Sequence, residues 1–323
     1  MIRDRRPALN EGSPVSTHFP TALRNKAALL LLRLLLVVTG SLPLATARRL
    51  GRWFGACYYA LRTRGRHVAT TNIRLAYPHL NQHQRDRMVR ATLQESGALA
   101  FEMGHVWSRP WAHTQRLIVE TEGVDLVLAA LQQGRGVIVL GPHLGNWEVL
   151  GLHLATLGNM VALFEPPKIE SLGSLIKQAR ERSGGRLVPT TARGLADLAK
   201  SVKSGGISGI LPDQVPDNPA GGANVPFMGV DCATASLGCN LIKRSGAIAF
   251  MGAAYRVAHG FRVCYRAAPD AIYSDDSTTA LSAMNLAVEA LIEGYEAQYQ
   301  WLYKRFRQQP PAADLYDRQY NQD

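Results

Sequence analysis

The stretch Gly134-Arg-Gly-Val-Ile-Val-Leu-Gly-Pro-His-Leu-Gly-Asn-Trp-Glu148 decides how the chain is read. Val137-Ile-Val-Leu140 is a short apolar run without polar alternation, the pattern of a strand buried on both faces. Gly141-Pro142 stops it. Asn146 then stands where a side chain can cap a helix, ahead of the apolar residues Val149, Leu150, Leu152 and Leu154. A strand that ends in a tight turn and feeds a helix is where α/β proteins commonly hold reactive groups. The turn carries His143, and Glu148 follows five residues later. On one continuous helix these side chains would point about 140° apart, at roughly 100° per residue. With His143 in the turn before the helix, both can face one cleft. An imidazole that takes a proton and a carboxylate that fixes its tautomer form the minimal general-base pair. His143 and Glu148 are therefore the candidate catalytic residues, although His-x4-Glu alone also fits a purely structural histidine.

Outward from this stretch, the chain alternates strands and helices from about residue 115. Candidate strands are 116–121, 136–140, 160–165, 186–189, 206–211, 247–256 and 261–268. Candidate helices are 123–133, 146–157, 170–184, 192–204 and 233–245. Such alternation predicts an α/β fold, a mainly parallel sheet flanked by helices. A His-Gly turn between the last two strands predicts an antiparallel hairpin. Residues 276–308 read as one long helix closing an α/β domain over 113–308. Residues 309–323, which open with Pro310-Pro311, read as a tail.

Toward the N-terminus, residues 1–25 read as disordered, with Arg3, Arg5 and Arg6 among Gly, Ser and Pro. Residues 26–112 read as a helical, membrane-associated region. Ala27 to Ala47 includes Leu29-Leu-Leu-Leu32 and Leu34-Leu-Leu-Val-Val38, and as one helix it would extend about 30 Å. A transmembrane helix, a monotopic anchor and a signal peptide cut after Ala45-Thr46-Ala47 all fit this run, as does a core helix. Arg33 and Pro43 count against a deep central span, and Arg48-Arg49 against the signal peptide. Arg48, Arg49, Arg52, Arg62, Arg64 and Arg66 favour a cytoplasmic location for the downstream chain, and could hold anionic head groups. Trp53, Phe54, Tyr58 and Tyr59 suit an interface or a core equally. The next helix is expected over 82–106.

The 323 residues carry a net charge of +11, which points to an anionic partner. No zinc knuckle or aromatic RNA-binding signature accompanies the charge, so nucleic acid is not expected. The four cysteines (Cys57, Cys232, Cys239, Cys264) lack metal-site spacing, and neither metal nor cofactor is expected.

The string His143-Leu-Gly-Asn-Trp-Glu148 resembles the signature of the late acyltransferases of lipid A biosynthesis, relatives of glycerolipid acyltransferases with a His-x4-Asp motif. Further segments share that resemblance. They are Asn72-Ile-Arg-Leu-Ala-Tyr-Pro78, Arg180-Glu-Arg-Ser-Gly-Gly-Arg-Leu-Val-Pro189, Gly209-Ile-Leu-Pro-Asp-Gln214 with Val225-Pro-Phe-Met-Gly229, and Gln300-Trp-Leu-Tyr-Lys-Arg-Phe-Arg307. Met228 departs from the family's usual second aromatic. The resemblance implies an inner-membrane O-acyltransferase with its catalytic domain facing the cytoplasm. It implies an acyl-acyl carrier protein donor and a phosphorylated glycolipid acceptor, a hydroxyl of a Kdo-bearing lipid A precursor. It implies substrate-binding roles for Arg180 (Arg182 in the alternative register), Asp213 and Asn146. Turn amides near Gly145 and Asn146, or Arg180, would then serve as oxyanion donors. A lysophospholipid or mannosylated phosphoinositide acceptor is the alternative, and a catalytically idle membrane-binding protein a third reading.

Overall fold

The computed structural model describes residues 21–167, 169–307 and 315–316. Helices come first: α1 (Thr21–Ser41), α2 (Leu44–Ala60), α3 (Arg64–Ala76), α4 (Gln82–Trp107) and the short α5 (Trp111–Arg116). The side chains of Asn81 and Gln84 bind each other's backbone N–H and so fix where α4 begins.

The alternation comes next: β1 (Ile118–Glu122), α6 (Val124–Gln132), β2 (Val137–Leu140), α7 (Trp147–Leu154), β3 (Val161–Phe164), α8 (Glu170–Glu181), β4 (Arg186–Pro189), α9 (Ala192–Lys203) and β5 (Ile207–Ile210). The chain continues through β6 (Gly222–Phe227), β7 (Val230–Ala235), α10 (Leu237–Ser245), β8 (Ile248–Val257), β9 (Gly260–Ala267) and α11 (Ser277–Ile292). The central sheet has the order β1-β9-β8-β2-β5. β2 runs parallel to both β5 and β8, while β8 and β9 form the antiparallel hairpin. β3 and β4 are a parallel pair, set beside β5 by a bridge between Met160 and Ile207. The expected α/β fold, a mainly parallel sheet flanked by helices, is the one adopted.

β2 lies at the centre because nothing in it needs water. Its four side chains are fully buried, Ile138 and Leu140 in one core and Val137 and Val139 in the other. Period-2 alternation sends them to opposite faces, and each such burial contributes roughly 1.5–3 kcal/mol.

Several expectations are corrected. The apolar run 27–47 is not one helix: it breaks before Pro43, which starts α2 because its ring fixes φ and supplies no N–H. Among the described residues no helix is long and apolar enough to cross a membrane. Of the segment 1–25, residues 1–20 lie outside the described residues, and 21–25 belong to α1. The reading of 233–245 as helix missed the β6–β7 hairpin, whose two-residue turn Met228-Gly229 has φ of 51° and 74°. Two positive φ values match the twist of a tight hairpin. The long C-terminal helix ends at Ile292, where Glu293 turns to ψ 125°. Tyr299, Trp301 and Phe306 are thereby buried against the main core, which one straight helix would not allow. In the expected tail 309–323 only Leu315 and Tyr316 are described; Tyr316 is buried and its hydroxyl donates to Asn72.

Candidate active site

Adjacent parallel strands deliver the two central side chains to one place. Leu140 of β2 and Ile210 of β5 are paired in the ladder, and Gly141 N–H continues it to Ile210 O at 2.9 Å. His143 and Asp213 each come three residues after their paired residue, at the same sheet edge. Asp213 Oδ1 lies 2.8 Å from His143 Nδ1, and Oδ2 accepts the His143 backbone N–H at 2.9 Å. Burial, with the nearby Asp213 carboxylate adding to it, pushes the Tyr299 phenol well above its ordinary range. Burial alone would raise the pKa of Asp213. His143, through its two hydrogen bonds and its charge when protonated, and Arg305 hold the carboxyl below its ordinary range instead.

The turn that carries His143 is braced on several sides. Gln300 N–H donates to His143 O at 3.0 Å, Gly145 N–H to Gln298 O at 3.1 Å and Asn146 N–H to Ala254 O at 2.8 Å. Gly145 adopts φ +61°, and a Cβ there would lie 2.1 Å from Ala254 O, so only glycine fits. The Gly145 and Asn146 amides are thus already spent, which removes them as oxyanion donors. Asn146 caps α7 through Oδ1 and donates Nδ2 to Glu102 at 2.9 Å. Asn146 has no exposed surface, and both ends of its amide are engaged within the chain.

Glu148 is not the carboxylate on His143. From the first turn of α7 its side chain accepts Arg180 Nη2 at 2.6 Å and Nε at 2.9 Å, and Trp107 Nε1 at 3.2 Å. Burial opposes the charge on Arg180, but the bidentate carboxylate strengthens it. Arg182 turns elsewhere, to the backbone carbonyl of Arg109. Glu148, Arg180 and Trp147 stand at one end of an open cleft of about 100 Å³. Its walls are apolar: Leu150, Leu152, Leu154, Met160, Leu163 and Leu187 among others. His143 and Asp213 do not line the cleft. Trp147 stands between, edge-on to the imidazole at 4.9 Å between ring centres. The four expected residues therefore form two adjoining pairs, and not one ring around a cavity.

A family profile described as bacterial lipid A biosynthesis acyltransferase matches residues 17–308. The chain belongs to this family. Its similar proteins include the lipid A biosynthesis palmitoleoyltransferase of Escherichia coli (strain K12), 25% identical over 272 residues, which are 83% of this chain and 87% of that protein. The lipid A biosynthesis lauroyltransferase of the same strain is 25% identical over 84% of this chain and 89% of its own length. A lipid A biosynthesis acyltransferase of Haemophilus influenzae is 26% identical over 83% of each chain.

For a member of the lipid A acyltransferase family, the arrangement has a clear chemical content. Acyl transfer to an alcohol needs a base, a cation or amide donors for the oxyanion, and room for the chain. Sequence reasoning named His143, Glu148, Arg180 and Asp213 as candidates and expected Glu148, where the structure has Asp213, beside the imidazole. It missed Tyr299, one residue before the Gln300-Trp301 block, and Trp107, which carries no motif at all.

Proposed function

We propose that this acyltransferase moves a fatty acyl group from an acyl carrier protein thioester to a hydroxyl of a phosphorylated, Kdo-bearing lipid A precursor. One observation carries the mechanism: the 2.8 Å contact of Asp213 with His143 Nδ1. A carboxylate there accepts the Nδ1 proton and leaves the Nε2 lone pair as the basic site. Gln214 Nε2 sits 3.3 Å from that nitrogen, where the acceptor hydroxyl would arrive. Nε2 takes the hydroxyl proton as the oxygen attacks the thioester carbon. Collapse of the tetrahedral intermediate expels the thiolate, which recovers the proton from the imidazolium. Arg180 steadies the oxyanion or a substrate phosphate from the cleft wall. The apolar cleft beyond it holds the acyl chain, and no acyl-enzyme is needed.

Membrane association at the cytoplasmic face of the inner membrane belongs to the same proposal. α1 exposes Leu30, Leu31, Leu34, Leu35, Val37 and Val38, and α2 exposes Trp53 and Phe54. Apolar surface of this extent fits a lipid interface. Arg48 is not part of a head-group patch, because it is buried and paired with Glu102.

The test is acylation in vitro with acyl carrier protein donors of several chain lengths. Kdo-bearing lipid A precursor, lysophospholipid and mannosylated phosphoinositide serve as acceptors, with products read by mass spectrometry. Transfer to the precursor alone is expected; transfer only to another lipid overturns the acceptor. Flotation with anionic vesicles tests the surface. Leu31→Glu with Leu34→Glu should abolish flotation, and wild-type protein that stays at the bottom overturns the membrane reading.

A further inference from the structure

Glu102, toward the C-terminal end of α4, has no exposed surface, and no chemical step uses it. Its Oε1 accepts Arg48 Nε at 2.6 Å, and its Oε2 accepts Asn146 Nδ2 at 2.9 Å. Arg256 Nη1 lies 3.7 Å from Oε2. Arg256 itself, nearly buried on β8, donates Nη1 to Gly145 O at 2.7 Å and Nε to Glu95 of α4 at 2.9 Å. Arg48 reaches the β8–β9 turn, donating to Val257 O and Gly260 O at 2.6 and 2.9 Å. A buried network of charges is a poor way to gain stability, since desolvating ions offsets their attraction and apolar residues of the same size do as well. What it supplies is direction. Two consecutive residues of the His143 turn are held from α4, Asn146 by Glu102 and Gly145 through Arg256.

We propose that Glu102 is a positioning residue: through Asn146 it fixes the turn that carries His143, so the helical layer is part of the active-site framework. The inference rests on His143 being the base. The rest of the turn is held by main-chain partners on β8 and the 298–300 segment and by the Asp213 carboxylate. Removing the α4 tether lets the turn drift and the imidazole lose its alignment on Asp213 and the hydroxyl. A displacement on the order of 1 Å lowers the chemical step by about 10²-fold without touching substrate affinity.

Asn146→Ser is the sharpest test. Serine keeps an oxygen to cap α7 and loses only the amide bound to Glu102. Glu102→Gln weakens the same tether from the other end. Each purified variant is read by kcat, by KM for both substrates, by melting midpoint, and by the downfield proton resonance of His143 Nδ1 in histidine-labelled protein. The expected result is a kcat about 10²-fold lower at unchanged KM, with the resonance shifted or broadened. Folded Asn146→Ser with wild-type kcat and an unmoved resonance overturns the inference. His143→Ala is run alongside. Its inactivity beside an active Asn146→Ser rejects the positioning role alone, whereas its activity rejects the base assignment and the inference with it.

Discussion

Two pairs, each a carboxylate beside a basic side chain, flank the end of β2, and they are built differently. His143 and Asp213 are both nearly buried, and backbone bonds brace the turn that carries the histidine. Glu148 and Arg180 stand at the mouth of an apolar cleft, with about a third of the Arg180 side chain exposed. The first pair has the dryness and fixed geometry that proton transfer needs. The second has the reach and charge that a phosphate or oxyanion needs. The difference teaches that nearness in sequence did not select the partner of the histidine: Asp213, 70 residues away, took the place that Glu148 was expected to fill.

Exchanging the roles experimentally is the strongest way to break this comparison. His143→Ala should lower turnover by about 10³-fold and Asp213→Asn by at least ~10²-fold, with the fold retained. Glu148→Gln should cost less rate than Asp213→Asn. Steady-state kinetics of the three purified variants decide it, and a larger loss in Glu148→Gln would return the base's carboxylate to Glu148.

The Glu148–Arg180 pair should act on binding and on the oxyanion. Arg180→Lys keeps a cation but loses the bidentate fork. It should raise KM or lower kcat by roughly 10-fold, an effect of about 1.4 kcal/mol. It should also leave the His143 Nδ1 resonance in place; a moved resonance would show that the two pairs are one unit.

The cleft beside this pair offers a gentler probe. Gly151 lines it, and a Cβ there meets nothing within 4 Å. Gly151→Leu should therefore fold, fill the cleft and shift donor preference toward shorter acyl chains by a few-fold. Competition between donors of mixed length measures it, and unchanged preference would place the chain elsewhere.

The smallest effect concerns the helix end that supports Glu148 through Trp107. Two residues earlier, His105 Nδ1 lies 3.0 Å from His113 Nε2. Burial, with His113, Arg109 and Arg48 adding to it, pushes His105 down to about 4 from the ordinary 6.5. The folded state then binds fewer protons than the unfolded one between these values. Stability falls as pH drops from about 6.5 toward 4. The melting midpoint of wild type should fall relative to that of His105→Leu as pH drops across that range; parallel curves would rule out His105 as the cause.

Much of this was legible in the sequence, for physical reasons that can be named. The run Val137–Leu140 had to be a doubly buried strand, because four adjacent apolar residues leave no polar face. The strand–helix alternation then fixed a mainly parallel sheet, and Gly141-Pro142 fixed where its reactive turn begins. His143 and Glu148 stood out as candidates from one short string, whereas Arg180 and Asp213 became candidates only through the family resemblance of theirs. What the strings could not contain was partnership. Which carboxylate meets His143 depends on the register of β2 against β5, which brings Leu140 level with Ile210. That Asn146, Glu102 and Arg256 form a framework depends on α4 lying across the turn. That the C-terminal segment leaves its helix at Ile292 depends on the buried places waiting for Tyr299 and Trp301. Local pattern determined the elements of this protein, because backbone conformation answers to neighbours a few residues away; tertiary packing alone chose the partners, because hydrogen bonds between side chains answer to distance in space.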